Sequence, residues 1–117
     1  MPTILVTGGA GTIGQAVVRR LLEDKRWDIR VADERDSPAW ISAACDTRNG
    51  DLRDRDQARA AVAGCSHVIH LAAIVGGIGN FHRLPYTLTD VNSSLYNAVI
   101  GAAISEQVER FTYVSSS

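Results

Sequence analysis

The chain opens with a continuous apolar, β-rich run, Thr3 to Thr7 (TILVT), closed by glycines. A short run without polar alternation suits a strand buried on both faces. From Thr12 the period changes. Ile13, Val17 and Leu21, with Val18 and Leu22, recur at helical spacing, while Arg19, Arg20, Glu23 and Asp24 are left for solvent, which predicts a helix from Thr12 to Lys25. Ile29 to Asp33 (IRVAD) reads as a second strand. Glu34 to Arg48 contains Pro38 and little periodicity, so it reads as a loop before a short third strand near Thr47 to Gly50. Asp54 followed by Gln57 has the form of a capping box, in which the carboxylate accepts backbone N–H bonds and the amide reaches back; a helix from Asp54 to Ala63 follows.

His67 to Leu71 (HVIHL) reads as a fourth strand and Ala72 to Arg83 as a glycine-rich connection containing GGIG. Pro85 suits a first helical turn, and Leu88, Val91, Leu95, Val99 and Ala102 recur at three and four residues, predicting a long helix to about Ile104. Phe111 to Ser115 (FTYVS) is the fifth strand. Strands that alternate with helices pair in parallel, because each crossover returns the chain to the same end of the sheet. The expected fold is therefore α/β, a doubly wound parallel sheet in a three-layer αβα arrangement, with no internal repeat or linker to divide it.

A length of 117 residues supports one domain, 1–117. With 45% hydrophobic and 21% charged residues and a net charge of -1, the chain lacks the basic excess that nucleic-acid binding favours. No uncharged apolar run approaches the ~20 residues of a membrane span, and MPTILVTGG has no basic leader, so no membrane partner and a cytoplasmic location are expected. The two cysteines, Cys45 and Cys65, fit neither a disulfide scaffold nor a zinc knuckle and read as reduced bystanders.

The sharpest chemical signal is Thr7-Gly8-Gly9-Ala10-Gly11-Thr12-Ile13-Gly14, between the first strand and first helix. Gly8 permits the tight turn, Gly11 lets backbone approach a pyrophosphate, and Gly14 allows close helix packing. A helix terminus alone contributes about 0.3–1 kcal/mol toward an anion, whereas hydrogen bonds to charged groups contribute roughly 1.5–3 kcal/mol each. Direct amide contacts therefore dominate. The G-K-[ST] ending of a P-loop is missing, which disfavours nucleotide hydrolysis. Asp33 ends the second strand about twenty residues on, where a carboxylate accepts hydrogen bonds from an adenosine ribose. The same carboxylate repels a 2′-phosphate, so NAD is favoured over NADP, a preference that the Arg35 cation softens.

With TGGAGTIG, Asp33, Gly50-Asp51-Leu52, His70-Leu71-Ala72-Ala73 and Val114-Ser115-Ser116 in this order, the chain resembles the extended short-chain dehydrogenase/reductases, and more narrowly the N-terminal part of the NAD-dependent epimerase/dehydratase family acting on nucleotide sugars. The resemblance covers nearly the whole chain and implies a Rossmann-like domain that binds NAD(P). It implies pyrophosphate contacts at Thr12 and Ile13, adenine contacts at Asp51 and Leu52, and a nicotinamide-side wall at Leu71, Ala72 and Ala73. It makes Ser116 the catalytic match, a serine that hydrogen-bonds the reacting sugar oxygen beside a tyrosine acid/base; Ser115 and Ser117 are one-residue register alternatives. It also implies a homodimer through the helix near Pro85 to Ile104, a helix whose stripe equally suits burial on its own sheet. The segment Ala72 to Ile78 resembles the AA-x-x-GG stretch of GDP-sugar epimerases.

The departure is at the proton-transfer pair. No tyrosine is followed four residues later by lysine, and Lys25, the only lysine, sits late in the first helix. The expected function is therefore the NAD-binding half of a nucleotide-sugar epimerase or dehydratase, truncated after the fifth strand, without a substrate lobe and inactive alone. Two alternatives stand beside it: a non-catalytic NAD-sensing module, and a superfamily reductase acting on another substrate such as a ketosteroid. No metal site is expected. Asp51, Asp54 and Asp56 are interleaved with Arg53 and Arg55 and lack EF-hand spacing, and His67 and His70, three apart on a strand, point to opposite faces.

Overall fold

In the computed structural model the described residues are 1–72 and 85–113, with side chains of the last helix described from residue 93 onward. Five strands, β1 (Thr3–Thr7), β2 (Asp28–Asp33), β3 (Asp46–Asn49), β4 (His67–His70) and β5 (Arg110–Tyr113), form one sheet in the order β3-β2-β1-β4-β5. Every pairing is parallel. The helices are α1 (Thr12–Asp24), α2 (Ala39–Ala44), α3 (Arg55–Val62) and α4 (Pro85–Ser105).

Alternation along the central strands divides the core in two. Ile4 and Val6 of β1 and Ile29 and Val31 of β2 pack with Val18 of α1 and Ile41 of α2. Leu5 and Val68 pack on the other face with Ala58, Ala61 and Val62 of α3 and Leu95, Val99 and Ala102 of α4. Each face buries its own helix pair, which gives the three-layer, doubly wound Rossmann-like fold expected from the pattern. The described part of the α4 stripe, Leu95, Val99 and Ala102, is thus buried within this chain.

Several local expectations are corrected. Glu34 to Arg48 is not a plain loop: α2 occupies Ala39–Ala44, with Ile41 its one buried residue. Six residues show too few buried positions for a helical period to be legible. β3 lies at Asp46–Asn49, one residue before the expected Thr47 to Gly50, and its DTRN sequence carries no apolar alternation because it is an edge strand. It is held by pairing to β2 and by Arg30 and Arg48 converging on Asp46 at 3.0 and 3.2 Å.

α1 ends at Asp24, with Lys25 as a left-handed cap at φ 58°. Ile13 does not join the α1 core stripe; it is 65% exposed. The α3 capping box is half formed. Asp54 Oδ1 accepts the Asp56 and Gln57 N–H groups at 2.8 and 3.2 Å, but the Gln57 side chain accepts the Asp51 N–H instead of returning to residue 54. The Asp54 N–H is taken by the Asp51 carbonyl. β4 ends at His70 rather than Leu71, and β5 starts at Arg110. The GGIG connection, Ala73 and Val114 to Ser117, Ser116 included, lie outside the described residues.

Candidate functional site

The strand order reverses between β1 and β4: β1 leads to β2 on one side and β4 leads to β5 on the other. Crossovers diverge at such a switch point and leave a crevice beyond the strand C-termini. Gly8 begins the turn there, at φ 77°, a left-handed conformation that side chains resist. Its N–H donates to the Ala32 carbonyl at 2.8 Å, fastening the turn to β2, and its carbonyl accepts the Gly11 N–H at 3.1 Å. A methyl on Gly14 would collide with that Gly8 carbonyl and with Gly9 Cα, so only glycine lets α1 start this close to β1.

Among the described residues no side chain caps the first turn of α1, and Thr12 and Ile13 are exposed. Its leading amides thus face the crevice without a side-chain partner among the described residues, the arrangement that receives a phosphate oxygen. The crevice is a cavity of about 540 Å³, within the range of small-molecule sites. Gly8, Gly11, Thr12 and Ile13 line it from the turn, Asp33 from β2, and Leu71 and Ala72 from the end of β4. Leu52, 4% exposed, lines it from the segment after β3. Gly14 packs beneath the turn, and Asp51 is not among the lining residues.

Asp33, only 8% exposed, is held from several directions. Its Oδ2 accepts the Ala10 N–H of the glycine turn at 3.1 Å, and its Oδ1 accepts the Arg35 N–H at 2.9 Å. The Arg35 guanidinium reaches both oxygens at 3.2 Å. Asp51 turns to Arg53, whose guanidinium approaches to 2.8 Å; hydrogen bonding from Arg53 holds the Asp51 carboxyl below the usual carboxylate range. Sequence reasoning did not place Glu34, Arg53 or Leu95 on the cavity wall. Leu95 lies on α4, far along the chain, and no local signal joins it to the glycine turn.

Beneath the β4 end, Thr7 Oγ1 accepts the N–H groups of Leu71 and Ala72, both at 3.1 Å. It lies 2.7 Å from His70 Nδ1. Burial pushes the His70 imidazole down from 6.5 to about 4. His67 lies on the opposite face, edge-on to Trp27 with ring centroids 4.7 Å apart, while His70 faces Phe111 and Tyr96. Among the described residues no helix is long and apolar enough to cross a membrane.

A glycine turn feeding an uncapped helix, with an acid at the end of the neighbouring strand and a crevice at the switch point, defines a dinucleotide-binding Rossmann-like domain. The family model described as NAD dependent epimerase/dehydratase family matches residues 4–117, and the chain belongs to that family. A human relative, 3 beta-hydroxysteroid dehydrogenase type 7, is 34% identical over 120 residues, covering 96% of this chain and 32% of that protein. A solved short-chain dehydrogenase/reductase superfamily protein from Agrobacterium tumefaciens with bound NAD is 32% identical with a TM-score of 0.78, covering 97% of this chain and 32% of that one. UDP-glucose-4-epimerase from Stenotrophomonas maltophila, with bound NAD and formylated UDP-arabinopyranose, superposes with a TM-score of 0.85 at 26% identity, over 100% of this chain and 38% of that one. The chain thus spans about a third of the length of the relatives it matches.

The residues present fit NAD, the cofactor of this family. Gly8 and Gly14 stand where a Cβ would strike backbone, so they allow the tight turn and the close start of α1; the α1 amides face the crevice, and a buried carboxylate, Asp33, stands at the end of β2 on its wall.

Proposed function

We propose that this chain is the NAD-binding part of an epimerase or dehydratase acting on a nucleotide sugar. The convergence of the Gly8–Gly14 turn and Asp33 on one crevice carries the reading. NAD, when bound, supplies a hydride acceptor and donor. The amides of Thr12 and Ile13 hold its pyrophosphate, Asp33 accepts from its adenosine ribose, Leu52 and Asp51 flank adenine, and Leu71, Ala72 and Ala73 wall the nicotinamide side. The protein's contribution is orientation and electrostatics. Ser116 polarises the substrate oxygen. Because these 117 residues carry no Y-x-x-x-K pair, they bind NAD without turnover by themselves. Any homodimer through α4 uses its outward face, where Ile104 is 72% exposed.

Titration of the folded chain with NAD is expected to saturate with a Kd on the order of 100 µM, about 5.5 kcal/mol. Gly11→Val should abolish the binding by filling the approach to the turn. A folded chain that binds no NAD, or binds equally well with Gly11→Val, sinks the reading.

A second reading, a dehydrogenase of a hydroxysteroid or similar alcohol, is favoured by the similarity to the human 3 beta-hydroxysteroid dehydrogenase. Incubating the full-length protein with NAD and either nucleotide sugars or 3β-hydroxysteroids separates the two. Net NADH accumulation with the steroids alone supports the second, and conversion of a sugar nucleotide supports the first.

A further inference from the structure

We propose that the groove between α3 and α4 is a second ligand site, separate from the dinucleotide crevice, which takes a sugar phosphate with its phosphate group held between Arg55 and Arg59. The proposal stands independently of the NAD reading.

The groove is a cavity of about 740 Å³, larger than the crevice. One wall is the exposed side of α3 and the segment just before it, where Arg53, Arg55 and Arg59 line the cavity against a single lining carboxylate, Asp56. In a chain of net charge -1 that is a local excess of cations. Arg53 is shared with the crevice wall and is held by Asp51 at 2.8 Å, which leaves the other two for the groove. Arg59 approaches Glu106 only to 3.8 Å, beyond hydrogen-bond length, and its side chain is 61% exposed. Arg55 and Arg59 stand one helical turn apart, their Cβ atoms about 5–6 Å from each other, and like charges at that spacing repel. A phosphate dianion between them removes the repulsion and accepts charge-assisted bonds from both guanidinium groups.

The facing wall is one stripe of α4. Ser94, Asn97, Gly101 and Ser105 follow one another at three and four residues and so share a face. That face offers hydroxyl and amide groups, where the inward face of the same helix offers Leu95 and Val99. Gly101 is exposed and lies inside the helix, where glycine is less favourable than alanine. A Cβ built there meets nothing within 4 Å among the described residues, so their packing does not explain the glycine. Its open floor lets a ring approach the helix backbone closely. A phosphate group fills a small part of the groove, and the remainder, with Ser94, Asn97 and Ser105 around it, suits a hydroxylated body; a sugar phosphate supplies both.

The test is calorimetric titration of the full-length protein, saturated with NAD to fill the crevice, with ribose 5-phosphate and with inorganic phosphate at fixed ionic strength. Wild type should bind both, the sugar phosphate more tightly. Arg55→Gln and Arg59→Gln should each weaken both at least about tenfold, equivalent to about 1.4 kcal/mol. Arg20→Gln, which removes an 85% exposed cation from α1, should change neither. Gly101→Leu should weaken ribose 5-phosphate by a similar factor and leave inorganic phosphate unaffected. NAD affinity should be the same in all these variants, because none of the four residues lines the crevice. Wild type that binds neither anion, or anion binding that survives both groove arginine changes or falls equally with Arg20→Gln, overturns the site while leaving NAD binding standing. Gly101→Leu that dissociates an oligomer on sedimentation without altering ribose 5-phosphate binding assigns the groove to a second copy of this chain and overturns it too. If NAD does not bind, the crevice reading fails by itself, and the same variants still decide the groove.

Discussion

Thr7 Oγ1 and His70 Nδ1 lie 2.7 Å apart across the β1–β4 pairing, directly beneath the crevice. The direction of that bond follows from the other contacts of the hydroxyl. Thr7 Oγ1 already accepts two N–H groups, from Leu71 and Ala72, so its own proton points to His70 Nδ1. The imidazole is therefore neutral and carries its proton on Nε2. Protonating Nδ1 would set two donors against each other in a buried site.

A pH dependence of stability follows. The folded His70 is depressed from 6.5 to about 4 by burial, so between those values the unfolded chain holds a proton that the native chain refuses. The contribution is intact above pH 6.5 and is lost as pH falls toward 4, by roughly 3 kcal/mol. Denaturant titrations across that range should show the decline. His70→Asn keeps an acceptor for the Thr7 hydroxyl without a titrating group, and should flatten that part of the curve while lowering stability at pH 7.

Thr7 is fully buried, so Thr7→Val keeps the shape and removes the oxygen. The Ala72 N–H and His70 Nδ1 then lose their partner, whereas the Leu71 N–H retains the Thr7 carbonyl at 3.0 Å. A loss of about 2–4 kcal/mol is expected at neutral pH from two unsatisfied groups. Thr7→Ser should recover most of it, and a Ser variant as unstable as Val would show that the hydroxyl is not what matters.

Gly14→Ala drives a methyl into the Gly8 carbonyl and Gly9 Cα, both backbone atoms. Relief requires α1 to move from β1, at an expected cost of about 1–3 kcal/mol, with loss of the turn geometry. Thermal denaturation and NAD titration should therefore fail together. Gly64→Ala makes a contrast, since a methyl there meets none of the described residues and only its φ of 81° is strained; it should lower stability without touching NAD affinity.

Asp54→Ala removes the acceptor for the Asp56 and Gln57 N–H groups at the start of α3. About 1 kcal/mol of stability should be lost, read by urea denaturation, with NAD affinity unchanged because Asp54 does not line the crevice.

Much of the fold was legible in order along the chain. The TILVT run, the Val18 and Leu22 periodicity, the Pro85 start and the Leu95–Val99–Ala102 stripe gave strands and helices close to their observed positions. The segments that escaped lack a local period. The six residues of α2 bury one side chain, and β3 is polar because only pairing to β2 makes it a strand. Ile13 misled for a related reason: helical spacing gave it a core position, but its side chain reaches the crevice instead.

By itself, the sequence determined the glycine turn, the acid about twenty residues beyond it and the strand–helix alternation, since these are set by backbone freedom and by periods spanning only a few residues. The tertiary structure alone decided the 3-2-1-4-5 strand order, the joining of Thr7 to His70 across 63 residues, the arrival of Leu95 at the crevice, and the saturation of Asp33 by Arg35. Those depend on which edges of the sheet pair and how its faces are covered, and on side chains competing for one carboxylate. Energies of that kind belong to the packed chain and leave no period in its letters.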